Sequence, residues 1–231
     1  MEHQRNKKHL VWPDLVFMEF LTAVAITIIL IVWALLLNAP LLELANPGIS
    51  ENPSKAPWYF VGLQELLVYF DPWIAGVVIP TLIILALMMI PYLDNNPNGR
   101  GEYAFSIRKF AITNFIFGFS MWLILIFIGY FLRGPNWHLY LPWESWETVK
   151  ETEEKLWSLH PASGVLCLSI YFGAGMVMPR IINRDFYRTC GFTRYVIVVA
   201  LILLMYAVPL KIFLRLAFNI KYILVTPWFN V

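Results

Sequence analysis

Five apolar stretches of about 20 residues or more, separated by short polar connections, run through the 231-residue chain. An α-helix of about 20 residues is long enough to cross the roughly 30 Å hydrocarbon layer of a membrane. We therefore predict an all-α fold, a polytopic bundle of five transmembrane helices. The helices are expected over residues 15–37, 73–92, 110–132, 161–182 and 195–216.

The composition agrees with a membrane chain. Apolar residues make up 59% of the sequence and charged residues only 14%, whereas about a quarter of an average soluble protein is charged. The net charge of +2 is too small to indicate a nucleic-acid partner. Cys167 and Cys190 form no CxxC pattern, so we interpret both as packing residues. The first stretch lacks the cleavage pattern of a secretory signal, and we expect it to remain in the mature chain.

The basic residues predict the orientation of the bundle. Lys and Arg are concentrated in the N-terminal tail and in the second and fourth connections, and are fewer in the other connections and the C-terminal tail. Because basic loops stay in the cytoplasm, the N-terminus is expected there and the C-terminus outside. The expected cytoplasmic set is Arg5, Lys7, Lys8, Arg100, Arg108, Lys109, Arg180, Arg184, Arg188 and Arg194, against Lys55, Arg133, Lys150, Lys155 and Lys221 outside.

Residues 52–73 join the first two spans and lie on the predicted outer side. They are too apolar for an ordinary loop, while Pro53 and Pro57 prevent one continuous helix. Asp71 and Pro72 are typical of the N-cap and the first position of a helix, because Asp accepts from free amides and Pro has none to leave unpaired. The stretch is therefore expected at the membrane surface, buried by something else.

Two features of the last spans predict their environment. Ser169 and Gly173 in the fourth span have the small-xxx-small spacing that lets helices approach closely, so this span is expected to pack against protein. Lys211 and Arg215 lie one turn apart near the outer end of the fifth span. We expect both side chains to extend to the lipid headgroups.

The histidines limit what the chain holds by itself. His3 and His9 lie in the N-terminal tail, and His138 and His160 in the third connection, so none falls within a predicted span. A haem inside the membrane needs such ligands, and we expect no bis-histidine haem held by this chain alone. Phosphate-binding, hydrolase and dinucleotide motifs do not occur in the sequence.

The outer stretch combines aromatic residues with one carboxylate. A quinol gives up two protons on oxidation, so its site needs an apolar, aromatic pocket at membrane depth and a proton acceptor. Four aromatic residues can supply the wall and Glu65 the acceptor. In a helix over 61–70, Glu65 shares a face with Val61, Gly62 and Tyr69. The proposed wall consists of Trp58, Tyr59, Phe60 and Tyr69.

The order of these elements resembles a known family. An outer Asn52-Pro53 loop precedes Trp58-Tyr59-Phe60 and a short apolar helix, and the next span ends Ile90-Pro91-Tyr92-Leu93-Asp94. The pattern resembles the C-terminal half of a split cytochrome b, the subunit IV-like subunit of a cytochrome bc/bf-type quinol–cytochrome c reductase. The resemblance covers residues 15–132, a little over half of the chain.

The sequence departs from the family at one functional position. The family motif is Pro-Glu-Trp-Tyr, and aligning Trp58 and Tyr59 with it places Ala56 and Pro57 where the family has Pro and Glu. Our hypothesis is that Glu65 has taken over the missing proton-accepting role. The alternative is that Glu65 faces the surface or a partner, and that water or a partner residue takes the proton.

The resemblance also implies partners and an organisation. Haem b would be carried by a separate cytochrome b N-terminal-half subunit and the iron–sulfur cluster by a Rieske protein. A c-type cytochrome, quinone and lipid would be further partners. The resemblance also implies a dimeric complex in an energy-coupling membrane, either the bacterial cytoplasmic membrane or an internal membrane derived from it.

The chain is then expected to be a subunit, with no enzymatic activity alone. The alternative is a non-catalytic scaffold or anchor subunit of an electron-transfer complex that has lost the quinol site. The expected parts are a cytoplasmic tail (1–14), a cytochrome b-like three-helix region (15–132) with an outer quinol-site loop (38–72), an outer interfacial loop (133–160) and a two-helix C-terminal extension (161–231).

Overall fold

The computed structural model describes residues 10–37, 44–94, 96, 98, 105–146, 150, 155–182, 184–228 and 230–231. The predicted tail charges Arg5, Lys7 and Lys8, the histidines His3 and His9, and Arg100 lie outside the described residues. The long helices are α1 (Val16–Leu36), α3 (Ile79–Leu93), α4 (Lys109–Phe127), α5 (Pro161–Ile182) and α7 (Phe192–Phe218). The short helices are α2 (Trp58–Leu66) and α6 (Arg184–Cys190).

Wider π-type turns extend three of these helices. They lie at Val11–Leu15 before α1, at Ile74–Val78 before α3 and at Ile128–Leu132 after α4. With them, five segments of the described chain are long and apolar enough to cross a membrane, which confirms the predicted all-α fold with five spans. These segments are Val11–Leu36, Ile74–Leu93, Lys109–Leu132, Pro161–Ile182 and Phe192–Phe218.

The chain divides into two compact units, Met1–Ser50 and Glu51–Val231. The first unit contains α1. The second contains α2 to α7, and its buried core lies where α2 and the start of the second span meet α4 and α7. The core residues are Leu66, Tyr69, Phe70, Ala75 and Leu125, and Val208 and Ile212 of α7 pack against them.

The short helix α2 begins and ends earlier than the predicted 61–70 helix. Pro57 precedes its first turn with extended backbone, and after Leu66 the chain makes a tight turn through Tyr69 and Phe70. Asp71 then caps the next helix as predicted, because its Oδ1 accepts the backbone N–H of Trp73 at 3.0 Å. Because the cap at Asp71 follows soon after the end of α2 at Leu66, the segment between the two helices is short.

Glycines allow α2 to lie directly on the last turns of the third span. A Cβ at Gly129 would collide with the side chain of Val61, and one at Gly62 would come within 3.2 Å of Ile126. The absence of side chains at both positions therefore sets the close approach of the two helices.

The fourth span packs against protein along only part of its length. Gly164 lies against the backbone of Ile223 and Gly175 against Leu203 of α7, whereas a Cβ at Gly173 would meet open space. Tyr171 strengthens the contact with α7 by donating its hydroxyl to the carbonyl of Leu203 at 2.7 Å. The contact predicted at Ser169 and Gly173 is therefore not formed among the described residues, and the span packs against protein through Gly164 and Gly175 instead.

The prediction that Lys211 extends to the headgroups is wrong. Its side chain is buried, and its Nζ donates to the carbonyls of Ile220 at 3.2 Å and Lys221 at 2.6 Å. These carbonyls lie just beyond the end of α7, where Asn219 adopts a left-handed conformation and turns the chain back. An ammonium that reaches free carbonyls inside the protein has no need to extend to water.

The segment after α7 folds back over the same end of the second unit. Lys221 donates its backbone N–H to the carbonyl of Trp157 at 2.7 Å, and Leu159 donates to Tyr222 at 3.0 Å. Further along, the Asn230 side chain donates to Asp71 Oδ2 at 3.4 Å. The C-terminal segment thus contacts both the third connection and the start of the second span.

Candidate functional site

Glu65 is a fully buried carboxylate at the centre of the outer stretch, with 0% of its surface exposed. Arg133 donates to both of its oxygens, from Nε to Oε2 at 2.8 Å and from Nη2 to Oε1 at 2.7 Å. The Tyr69 hydroxyl donates to Oε1 at 2.8 Å, and Trp137 Nε1 donates to Oε2 at 3.3 Å. A buried charge is tolerated when it is paired and hydrogen-bonded, and both conditions hold here.

Two local structures bring these donors together. Glu65 and Tyr69 are four positions apart, so the end of α2 and the following turn present them on one side. Arg133 follows the last turn of the third span and also donates from Nη1 to the carbonyl of Trp137 at 2.9 Å, which closes a tight loop. In that loop Asn136 and Trp137 adopt left-handed conformations, with φ of 56° and 58°. Asparagine is enriched in this conformation, whereas it is uncommon for a residue as bulky as tryptophan.

The loop before α2 is fastened to the same structure. Gln64 donates to the carbonyl of Ser54 and accepts the N–H of Ala56, both at 2.8 Å. Asn52 makes two hydrogen bonds with Asn136, at 2.8 and 2.7 Å. We call residues 52–70 and 130–140 together the outer platform, after the side of the membrane on which the sequence predicts them.

Lys55 joins the two parts of the outer platform through its ammonium group. Nζ donates to the carbonyl of Tyr130 at 2.6 Å and lies 4.6 Å from the ring centroid of Trp146. Burial lowers the pKa of Lys55 from its ordinary value. A cation placed over an aromatic ring and bound to a carbonyl adds a further constraint on the loop before α2.

The four predicted wall residues divide into two groups. Trp58, Tyr59 and Phe60, which we call the aromatic trio, project outward from the first turn of α2 and are 64%, 50% and 53% exposed. Their rings touch in sequence, with centroids 5.7 Å and 4.9 Å apart. Tyr69 lies on the opposite, buried side with Glu65. The structure therefore brings Glu65 and Tyr69 together and places the aromatic trio on another surface of the same helix.

The charge states around Glu65 are fixed by burial and by its neighbours. Burial, reinforced by the charge of Glu65, raises the pKa of Tyr69 to about 12, so its hydroxyl is a neutral donor at physiological pH. For Arg133, burial acts to lower the pKa, but the hydrogen bonds and charge of Glu65 outweigh it and the pKa is raised. The cluster is thus a cation, a carboxylate and a neutral phenol.

The described histidines do not fit a bis-histidine haem between spans. His138 and His160 both lie in the connection between the third and fourth spans. His160 Nδ1 accepts the N–H of Ala162 at 3.3 Å, at the start of α5. A haem ligand pair inside the membrane has to project from spanning helices, and these two histidines do not.

Sequence reasoning missed Arg133 and Trp137 as partners of Glu65. One signal was available, because a carboxylate in a buried apolar stretch requires a cationic or hydrogen-bonding partner. Arg133 directly follows an apolar span on the predicted outer side, which made it a candidate. The hydrogen bond from Trp137 to Glu65 depends on the left-handed backbone at residues 136 and 137, which the sequence reasoning did not predict.

The five spans define the chain as an integral, polytopic α-helical membrane protein. Residues 44–140, which include the outer platform, match the family model described as cytochrome b (C-terminal)/b6/petD. This segment is similar to the cytochrome b C-terminal family, which supports a subunit of a cytochrome bc/b6f-type complex, and the predicted resemblance is confirmed over residues 44–132. Comparison with curated proteins and with solved structures gives no match.

Proposed function

We propose that this chain is a membrane subunit of a quinol–cytochrome c (or plastocyanin) type oxidoreductase and forms part of its outer-side quinol-oxidation site. The observation that carries the proposal is the aromatic trio, three touching and exposed rings on a platform fixed by a buried ion pair. The trio lies within the segment that matches the cytochrome b family. An exposed aromatic surface next to apolar spans suits the flat, apolar ring of a quinol.

In this proposal the outer platform acts by positioning. The ion pair of Glu65 and Arg133, the Gln64 clamp and the paired asparagines hold α2 at a fixed angle to the third span. A rigid support keeps the aromatic trio at one distance from the acceptors on neighbouring subunits, and accurate positioning contributes strongly to catalysis. The haem b subunit, the Rieske iron–sulfur protein and a c-type cytochrome are the proposed partners, in a dimeric complex of an energy-coupling membrane.

Glu65 has two distinguishable roles within the proposal. As a proton acceptor, it would receive a quinol proton, and Tyr69 and Trp137 are the groups that a proton path has to pass. As an anchor, it would hold Arg133 and the loop of residues 133–139 in place. The four hydrogen bonds it accepts support the anchor role, since an arriving proton has to displace one of these donors.

The test of the quinol site compares aromatic variants of the purified complex. Trp58→Ala and Tyr59→Ala should each lower quinol oxidation by about tenfold or more, because each removes an aromatic contact with the substrate. Trp228→Ala is the matched control, since Trp228 is also exposed but lies in the C-terminal segment. Equal turnover in all three variants would contradict the proposal.

Glu65→Gln separates the two roles of the carboxylate. If Glu65 accepts the proton, the fraction of the complex that assembles should lose about a hundredfold or more in quinol oxidation, in addition to the stability lost because Arg133 is left unpaired. If Glu65 is an anchor, the variant should lose stability while the assembled fraction turns over normally. Measuring thermal unfolding and turnover on the same preparation distinguishes them.

A non-catalytic scaffold subunit is the second candidate function. It is favoured by Pro57, which occupies the position of the family's glutamate and leads directly into α2 without a titratable side chain. A complex that contains b-type haem in its reduced-minus-oxidised spectrum but shows no inhibitor-sensitive quinol turnover would support this candidate over the first.

A further inference from the structure

The end of the second unit opposite the outer platform carries a group of exposed basic side chains. Arg184 and Arg188 lie four positions apart on α6, so they share one face of this short helix. Arg180 lies in the last turn of α5, Arg194 in the first turn of α7 and Lys109 at the start of α4, and all are exposed. We call these five residues the basic patch.

The elements of the basic patch are held together by aromatic contacts. Phe186 of α6 lies with its ring centroid 5.3 Å from that of Phe110 in α4, and Tyr187 lies 5.0 Å from Tyr195 in α7. Arg180 sits over the ring of Tyr187 at 4.5 Å. The aromatic face of α6 therefore points inward, and its arginines are left on the outer surface.

The charges of the basic patch are not neutralised within the described part of the chain. Ion pairs join Asp94 to Arg108, Glu65 to Arg133 and Glu144 to Lys150, and none of these three involves a residue of the basic patch. Asp185 is the nearest acid in sequence and makes no ion pair among the described residues. The patch thus offers several cations to an external anion.

The surroundings of the patch indicate what kind of anion fits. Ile181, Ile182 and Phe192 lie next to these arginines in the chain and are more than half exposed. They mark the points where two apolar spans end, which is the level of the lipid headgroups. A soluble anion needs only the charges, whereas a phospholipid satisfies both the cations and the exposed apolar side chains.

We propose that the basic patch binds the headgroup of an anionic phospholipid, with the lipid's acyl chains against Ile181, Ile182 and Phe192. Each Lys or Arg close to an anionic membrane surface strengthens binding about fivefold, so two arginines together account for about thirtyfold. Four of the five patch residues lie outside the segment that matches the cytochrome b family, and Lys109 lies within it. The proposal does not depend on the proposed quinol site.

The experiment uses the full-length protein in nanodiscs made of phosphatidylcholine with a small fraction of phosphatidylglycerol. After release into detergent, native mass spectrometry measures how much phosphatidylglycerol stays bound to the protein. The wild type should retain it. Arg184→Gln/Arg188→Gln should weaken its retention by about thirtyfold, while Arg184→Lys/Arg188→Lys should largely keep it. The control Lys155→Gln/Lys221→Gln removes two exposed charges at the platform end and should retain the lipid as the wild type does.

A second measurement needs no variant. Raising the salt concentration should release phosphatidylglycerol from the wild type while leaving retained phosphatidylcholine unchanged. Equal retention of the two lipids by the wild type, or equal loss from the glutamine variant and the Lys155/Lys221 control, would overturn the proposal.

Discussion

Glu65 and Arg133 are separated by 68 positions in the chain, yet they form its best-buried ion pair among the described residues. Removing one partner of such a pair leaves an unpaired charge inside the protein, which costs far more than the net contribution of the intact pair. We therefore expect Arg133→Met to lower the free energy of unfolding by about 3–5 kcal/mol. Thermal or denaturant unfolding in detergent measures the change, with the exposed Arg194→Met as a control.

A double variant checks the reason for this cost. If the penalty comes from the unpaired carboxylate, Glu65→Leu combined with Arg133→Met should be more stable than Arg133→Met alone, because both charges are then absent. A double variant that is as unstable as the single one, or less stable, would show that packing of the arginine stem is the main contribution.

The raised pKa of Tyr69 predicts that the free energy of unfolding depends on pH in alkaline solution. Its pKa is raised from 10.0 to about 12, so the folded state holds the phenolic proton more tightly than the unfolded state does. The stability that Tyr69 contributes is therefore complete below pH 10 and is lost as the pH rises through about 12. The free energy of unfolding of the wild type should fall across this range more steeply than that of Tyr69→Phe. Parallel pH profiles for the two proteins would contradict the assignment.

At the scale of elements, the contact of α2 with the third span depends on Gly129. A methyl group there collides with Val61, so Gly129→Ala should displace α2 and cost about 1–3 kcal/mol of stability. Gly173→Ala is the matched control, because its Cβ meets open space in α5 and alanine favours a helix. Unfolding measurements that rank the two variants equally would show that α2 can shift freely.

The elements themselves were largely predictable from the sequence. Apolar runs bounded by charges determined all five spans within a few residues, and Asp71 with Pro72 determined the start of the second. These signals are local, because a span needs only length and apolarity and a cap needs only the neighbouring amides.

The candidate site was less predictable because it depends on contacts between distant residues. The helical repeat placed Glu65 beside Tyr69 correctly, but the pairing with Arg133 requires knowing which helix α2 packs on. The sequence also grouped Tyr69 with the aromatic trio, since composition cannot tell which rings face outward. Lys211 was misread for the same reason, because its partners lie on a turn that follows the helix.

At the scale of the whole molecule, the C-terminal segment links the last two spans to the cytochrome b-like region. Deleting residues 219–231 should leave the spans in place but remove the partners of Trp157, Leu159 and Lys211. We expect faster amide hydrogen exchange over residues 155–160, measured by mass spectrometry, with little change over residues 130–140. Unchanged exchange at 155–160 would mean that these contacts contribute nothing to local stability.

Val208 and Ile212 of α7 pack against the buried core around Leu66 and Leu125, and this has a consequence for how the protein is made. The ribosome completes the outer platform at residue 140, before it begins α7, and the delay between residue 140 and residue 208 is on the order of ten seconds. During that time the apolar face that α7 later covers is open within the membrane. The timing of α7 insertion therefore sets how long this face remains accessible to a neighbouring subunit.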